Sequence, residues 1–331
     1  MLILKTRPTL WRTLAAATVL AAAALSAPGA ATAADKSVKV TAIVEHPALD
    51  ACRNGVKDEL AARGYTAGKN LDWEFQSAQG DVGTAGQIAR KFVGDKPDVI
   101  VAIATPSAQA AVAAARGGVP VIFTAVTDPV AAKLIKDRAH PGGNVSGVTD
   151  LSPIDLHLKL IKEITPNAKK IGVPHNPGEA NAVVLVNLLR DMAPKMGMEV
   201  VVASAPSTND VLPAARSLVG KVDVIYVPTD NTIVSALEAV IKVGIDAQIP
   251  VYAGDTDSVP RGAIAALGFN YYDIGRQTGA MVARVLGGEK PGDIAVEGVQ
   301  KGELFVNPGA ARKMGVTIPA ATVQRAKKVV E

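Results

Sequence analysis

The stretch D-V-I-V-A-I-A-T-P-S (98–107), followed by V-P-V-I-F-T-A-V-T-D-P (119–129), decides how the rest of the chain is read. Each segment begins with an almost unbroken apolar, β-branched run and ends on a polar turn. Runs without polar alternation are covered on both faces, which is the property of strands in a parallel sheet. Between them Thr105-Pro106-Ser107 opens a helix that Gly117-Gly118 ends. The second half of the chain repeats this grammar. D-V-I-Y-V (223–227) matches Asp98–Ala102, and Thr229-Asp230-Asn231 takes the place of Thr105-Pro106-Ser107. I-P-V-Y (249–252) matches Val119–Ile122, and G-D-T-D-S (254–258) takes the place of T-A-V-T-D-P.

Working outward, each half gains the same flanking units. Val38–Val44 reads as a strand, a helix runs to about Arg63, and Gly64 ends it. Leu71–Gln76 is the next strand, and a helix spans Thr84–Gly94. In the second half Lys170–Pro174 and Glu199–Ala203 are strands, with helices to Met196 and over Asp210–Val219. Strands alternating with helices, twice over, predict an α/β chain with two doubly wound parallel-sheet lobes and right-handed crossovers. The tail adds a strand at Gly262–Leu267, a helix at Tyr272–Leu286 and a short strand at Leu304–Val306. A tail that returns to the first lobe and then re-enters the second makes three crossings, expected near Asp150–Pro153, Val259–Gly262 and Lys290–Gly292. That assigns 35–150 plus 262–289 to lobe 1 and 151–261 plus 290–331 to lobe 2. A three-stranded connection of this kind is a hinge that can close two lobes on a ligand.

The start of the chain has a separate role. Lys5, Arg7 and Arg12 precede an apolar run from Leu14 to Leu25, and Ala31-Thr32-Ala33 supplies a small-x-small pattern. This is the layout of a secretory signal peptide, expected over 1–34. Pro28 and Gly29 cut the run below the roughly 20 apolar residues of a membrane span. No cysteine lies near the cleavage point, so a soluble periplasmic protein is expected. About 297 of the 331 residues remain, more than one core normally serves. The chain carries +4, and the leader holds three of those positive charges and no acid, so the remainder is about +1. Such a balance gives no support for nucleic-acid binding, which wants a clustered basic face. Cys52 is the only cysteine, so no intramolecular disulfide is available, and a lone helical cysteine reads as a small buried residue.

Ligands of open parallel sheets bind beyond the carboxyl ends of the strands. The loops there offer Glu45-His46, Thr105-Pro106-Ser107-Ala108 and Thr124–Asp128, including Thr127, from the first lobe. The second lobe offers Asn176–Asn181 with Glu179, Thr229-Asp230-Asn231 and Asp255-Thr256-Asp257. Thr105 and Ser107 place hydroxyls and free N–H groups at a positive helix end, suited to a carboxylate, although ordinary N-capping uses the same residues. Asp230, Asp255 and Asp257 can receive an ammonium group, with capping and turn formation as the competing role. Carboxylate in one lobe and ammonium in the other describe an amino acid. Glu45 and His46 are read as polar cleft lining rather than as an acid/base pair.

The same loops carry a likeness. V-E-H-P-A-L-D (44–50), A-T-P-S-A-Q (104–109), G-N-V-S-G-V-T-D-L-S-P (143–153), N-P-G-E-A-N (176–181), P-T-D-N (228–231) and G-D-T-D-S (254–258) resemble the ABC substrate-binding protein family that includes the TrpX-type proteins. The resemblance implies a type I periplasmic-binding fold, an aromatic amino acid in the interlobe cleft, and delivery to a membrane permease with its cytoplasmic ATPase. It also marks two departures: Pro174-His175 where a tyrosine is expected, and Asn270 where an acid is expected. Asn270 is therefore a further candidate for the pocket.

No catalytic residue, metal or cofactor is expected. The chain lacks G-x-S-x-G, a G-x-x-x-x-G-K-[ST] phosphate loop, H-E-x-x-H and paired cysteines. A DNA-binding regulator with the same lobes would start with a helix-turn-helix in place of the leader. The expected molecule is a monomer that closes on a small molecule. Delivery to a periplasmic sensor or chemoreceptor, or a ligand other than an amino acid, is the competing reading.

Overall fold

The computed structural model describes residues 36–299 and 302–331. The expected signal peptide lies outside them. The first lobe is built from β1 (Lys36–Ala42), α1 (Pro47–Ala62), β2 (Leu71–Ser77), α2 (Val82–Gly94), β3 (Val99–Ile103), α3 (Thr105–Ala115), β4 (Val121–Val126) and β5 (Val145–Thr149). The chain then enters the second lobe through α4 (Ile154–Ile164), β6 (Lys170–His175), α5 (Ala180–Met192), β7 (Glu199–Ser204), α6 (Val211–Ser217) and β8 (Val224–Val227). There follow α7 (Asn231–Ser235), α8 (Leu237–Ala247), β9 (Val251–Ala253) and β10 (Ala265–Gly268). It returns through α9 (Tyr271–Leu286) and β11 (Glu297–Gly298), and finishes with β12 (Glu303–Val306), α10 (Pro308–Lys313), α11 (Ala320–Gln324) and β13 (Lys328–Val329).

The two sheets run β11-β5-β4-β3-β1-β2 and β13-β12-β10-β9-β8-β6-β7. Their first five strands in sequence therefore have one order, 2-1-3-4-5, all parallel. This doubly wound pattern, made twice and linked by three crossings, is the type I periplasmic-binding fold. Each sheet has its own hydrophobic core. Val38, Val40, Phe92, Ile100, Ile103 and Phe123 fill the first, and Ile171, Leu185, Val224, Ile225 and Tyr252 fill the second, all with almost no exposure. Each large side chain so buried contributes about 1.5–3 kcal/mol. Two buried tyrosines find partners: the Tyr252 hydroxyl lies 2.6 Å from Thr165 Oγ1, and that of Tyr226 lies 2.6 Å from His157 Nδ1.

Two of the three crossings differ from those expected. The strand in Gly262–Leu267 does not return to the first lobe. It begins at Ala265 and lies parallel to β9 and antiparallel to β12, so 262–268 belongs to the second sheet. The chain crosses only after it, between Gly268 and Tyr271. Residues 290–298 in turn stay with the first lobe. Ser146 Oγ donates to the Ile294 carbonyl at 2.7 Å, Val296 N–H to the Arg138 carbonyl at 2.7 Å, and β11 pairs with β5. The third crossing thus falls between Gly298 and Glu303. An apolar run such as G-A-I-A-A-L does not say which of two similar sheets it will extend.

Helix α9 is fixed to the first lobe by backbone contact with α1. A Cβ on Gly275 would stand 2.0 Å from the Cys52 carbonyl oxygen, and one on Gly55 would stand 2.1 Å from that of Tyr272. Cys52 is fully buried in this crossing with Sγ 3.3 Å from Thr124 Oγ1, and burial pushes its thiol up to about 12, far from the thiolate that reacts.

Candidate functional site

The order reverses between β1 and β3 in one sheet and between β6 and β8 in the other, and the loops following these strands face each other. They enclose a cavity of about 20 Å³, room for about one water molecule in this arrangement. The first lobe and the crossings supply His46, Leu49, Ala125, Thr127, Asp150 and Tyr271. The second supplies Asn181, Thr229, Asp230, Asn231, Val234 and Asp255. A wider cleft of about 480 Å³ shares Asn231 with this cavity and is lined by Asn176, Glu179 and Thr232 together with Gly80, Asp81 and Pro106.

The acids of the second lobe are held from several sides. Asp230, with no exposure, caps α7: its Oδ1 accepts from Ile233 N–H at 3.1 Å and its Oδ2 from Asn176 N–H at 2.6 Å. Burial and the charge of Glu179 push its pKa well above the carboxylate range. Asp255 accepts from the Ser258 N–H (2.9 Å) and hydroxyl (2.6 Å), and burial raises its pKa too. Glu179 accepts from the Asn231 N–H (3.1 Å) and amide (2.5 Å), the Thr232 N–H (3.0 Å) and hydroxyl (2.8 Å), and the Asn181 amide (3.1 Å). With both oxygens occupied at the start of α7, Glu179 braces the loop instead of facing the enclosed cavity.

On the other wall, Asp150 is 3% exposed and follows β5. It accepts from the Tyr271 hydroxyl at 2.6 Å and from the Thr127 hydroxyl at 3.3 Å. His46 is neutral across the physiological range, because burial and then the charge of Arg261 lower its pKa to about 3. Its Nδ1, like Asn181 Oδ1 and Thr229 Oγ1, has no hydrogen-bond partner among the described residues. Among the described residues no lysine or arginine lines the enclosed cavity. Arg261, whose charge acts on Asp255 and His46, is tied to Glu238 by two contacts of 2.8 Å.

Of the residues singled out from sequence, His46, Thr127, Asn181, Thr229, Asp230, Asn231 and Asp255 come together around the enclosed cavity, and Asn176 and Glu179 line the wider cleft. Thr105, Ser107 and Ala108 line neither. They are buried at the start of α3, whose Pro106 reaches the wider cleft, and the hydroxyls of Thr105 and Ser107 have no partner. The residue before them, Ala104, has φ 72° and ψ 157°, a strained backbone that costs about 1–3 kcal/mol and persists only where the surroundings impose it. Glu45 stands exposed beside Gln79, 3.1 Å away. Asp128 caps its own turn through Val130 and Ala131 N–H at 3.0 Å, and Asn270 caps α9 through Tyr272 N–H at 3.0 Å. Asp257 lies outside the cavity lining. Neither departure from the family pattern, His175 nor Asn270, lines either space. Leu49, Ala125, Asp150, Val234 and Tyr271 were not singled out. Asp150 and Ala125 do lie within quoted motifs, and Tyr271 directly follows Asn270.

Comparison with known proteins bears on this arrangement. The family model described as ABC transporter substrate binding protein matches residues 37–330. The chain belongs to this family. The ABC transporter substrate-binding protein is 46% identical over 272 residues to a tyrosine-binding protein of Clostridioides difficile (strain R20291), covering 82% of this chain and 79% of that one. An ABC domain from Streptococcus pneumoniae in complex with L-Trp matches with 35% identity and a TM-score of 0.86, over 89% of this chain and all of that one. The ligand-free, open structure of a Clostridium difficile substrate-binding protein with adhesive properties matches with 42% identity but a TM-score of 0.67, over 89% of this chain and 99% of that one. Sequence identity and superposition rank these two in opposite orders. The present chain superposes better on the L-Trp complex than on the ligand-free, open structure.

Proposed function

We propose that this substrate-binding protein is exported to the periplasm, captures an aromatic amino acid between its lobes and presents it to the permease of an ABC importer, whose cytoplasmic ATPase drives release. The observation that carries the ligand class is the cavity charge: Asp150, Asp230 and Asp255 are buried around one small space that, among the described residues, no lysine or arginine lines. Buried carboxylates demand a cation or a proton. An ammonium group on Asp230 and Asp255 supplies the cation. The start of α3, with the unpartnered hydroxyls of Thr105 and Ser107, takes the carboxylate through free N–H groups and the helix dipole. Helix α3 meets α5 across the cleft, so this group is positioned to complete the site as the lobes close. Leu49, Val234, Tyr271 and the neutral His46 offer an apolar and aromatic bed for the ring. The ligands of two relatives, tyrosine and L-Trp, agree with that bed.

In this mechanism no bond is made or broken. The ligand selects the closed arrangement because only there do both walls touch it. A thermal-shift screen against the common amino acids, a panel of sugars and inorganic anions tests the reading, since a ligand of the folded state raises the melting temperature. Stabilisation by tyrosine, tryptophan or phenylalanine is expected. Stabilisation by sugars or inorganic anions alone would sink the amino-acid assignment.

A further inference from the structure

The three acids of the cavity differ in what they are built on. Asp230 and Asp255 belong to loops of the second lobe. Asp150 sits at the start of the first interlobe crossing, and Tyr271, which donates to it at 2.6 Å, is the first residue after the second crossing. Both line the cavity. Resting on the amino-acid reading above, we infer that Asp150, positioned by Tyr271, is the residue that makes closure specific for a ligand carrying an ammonium group.

The other side-chain contact to Asp150 comes from Thr127, at 3.3 Å, and among the described residues no basic side chain bonds it. Burial, and after it the negative charge of Asp255 on the same cavity, raise the pKa of Asp150. Closing the lobes therefore brings two like charges into one dry space. A ligand with an amine relieves that repulsion, and a ligand of the same shape without one leaves it in place. Rejection by an uncompensated charge discriminates more sharply than a lost attraction. Two further atoms point to a ligand in the same space: His46 Nδ1 and Asn181 Oδ1, on side chains 9% and 4% exposed, line it without a partner. Because Asp150 opens the first crossing and Tyr271 directly follows the second, the sensing pair stands at the hinge end of the cleft.

Calorimetric titration with paired ligands tests this. L-tryptophan is compared with indole-3-propionate, and L-tyrosine with 3-(4-hydroxyphenyl)propionate, each pair differing only in the amine. The wild type is expected to prefer the amino acid by about a hundredfold or more, and Asp150→Asn to narrow that ratio by about tenfold, the range of a charge-assisted hydrogen bond. Tyr271→Phe, which removes one hydroxyl, is expected to narrow it by about threefold, and it serves where Asp150→Asn does not fold. Small-angle scattering of the ligand-free protein adds a readout of closure: Asp150→Asn is expected to be more compact than wild type. A ratio unchanged in both variants, or an equal loss for both members of a pair, overturns the inference while leaving the amino-acid reading standing. A wild type that binds neither amino acid overturns both.

Discussion

The two walls of the cleft are built from the same βαβ grammar yet reach opposite electrostatic solutions. In the second lobe three acids are bonded from within their own wall: Asp230 by Ile233 and Asn176, Asp255 by Ser258, Glu179 by Asn181, Asn231 and Thr232. In the first lobe the corresponding helix start leaves Thr105 and Ser107 buried without partners, after a strained Ala104. The acids of one wall are already held in place, while the hydroxyls at the helix start of the other have no partner among the described residues. On the proposed reading, the second lobe is then a preorganised receptor for positive charge, and the first a donor surface whose hydrogen bonds the ligand completes.

The sharpest way to break this comparison is to dismantle the completed wall. Glu179→Ala leaves a set of loop and helix-start donors unpaired, so about 3 kcal/mol of stability should be lost, read as a lower denaturant midpoint. A midpoint equal to wild type would mean that the wall does not depend on its bracing acid. Asp230→Asn keeps a side chain able to cap α7 but removes the charge. Its affinity for the amino acid should fall by roughly tenfold to a hundredfold, about 1.5–3 kcal/mol, in calorimetric titration. Wild-type affinity would move the ammonium role away from Asp230 altogether.

Ser107→Ala probes the incomplete wall. Its hydroxyl has no partner to lose, so the melting temperature should hold within a degree or two, while affinity falls about fivefold, close to 1 kcal/mol. A drop in stability with unchanged affinity would make Ser107 a structural cap and return the first wall to the ordinary case.

The smallest effect concerns an acid outside the cavity. Burial and the charge of Asp255 raise Asp257 to about 6 from the usual 3.8. The folded state then holds this proton more tightly than the unfolded chain does. The associated stability is fully present below pH 3.8 and lost as pH rises through about 6. Asp257→Asn should therefore melt a few degrees above wild type at neutral pH, and the gap should close in acid. Ligand affinity should not change, because Asp257 does not line the cavity. A loss of affinity in this variant would place a fourth acid in the site.

The sequence by itself determined the class of fold. Unbroken β-branched runs such as Asp98–Ala104 and Asp223–Val227 have to be buried on both faces, and their repetition in one order requires two parallel sheets. It also located most of the second wall, because capping acids and amides after strand ends have few places to go. Tertiary structure alone decided which sheet β10 extends, since its apolar run fits either, and that choice moved the second crossing to Gly268–Tyr271. It alone separated acids of one composition into three roles: Asp230 at the cavity, Glu179 spent on the start of α7, and Asp257 outside. It also brought Asp150 to Tyr271 across 121 positions of sequence. Local pattern is set by neighbours along the chain, and it carries no record of which distant side chain will share a low-dielectric cavity. Charge in such a cavity is governed by exactly that company.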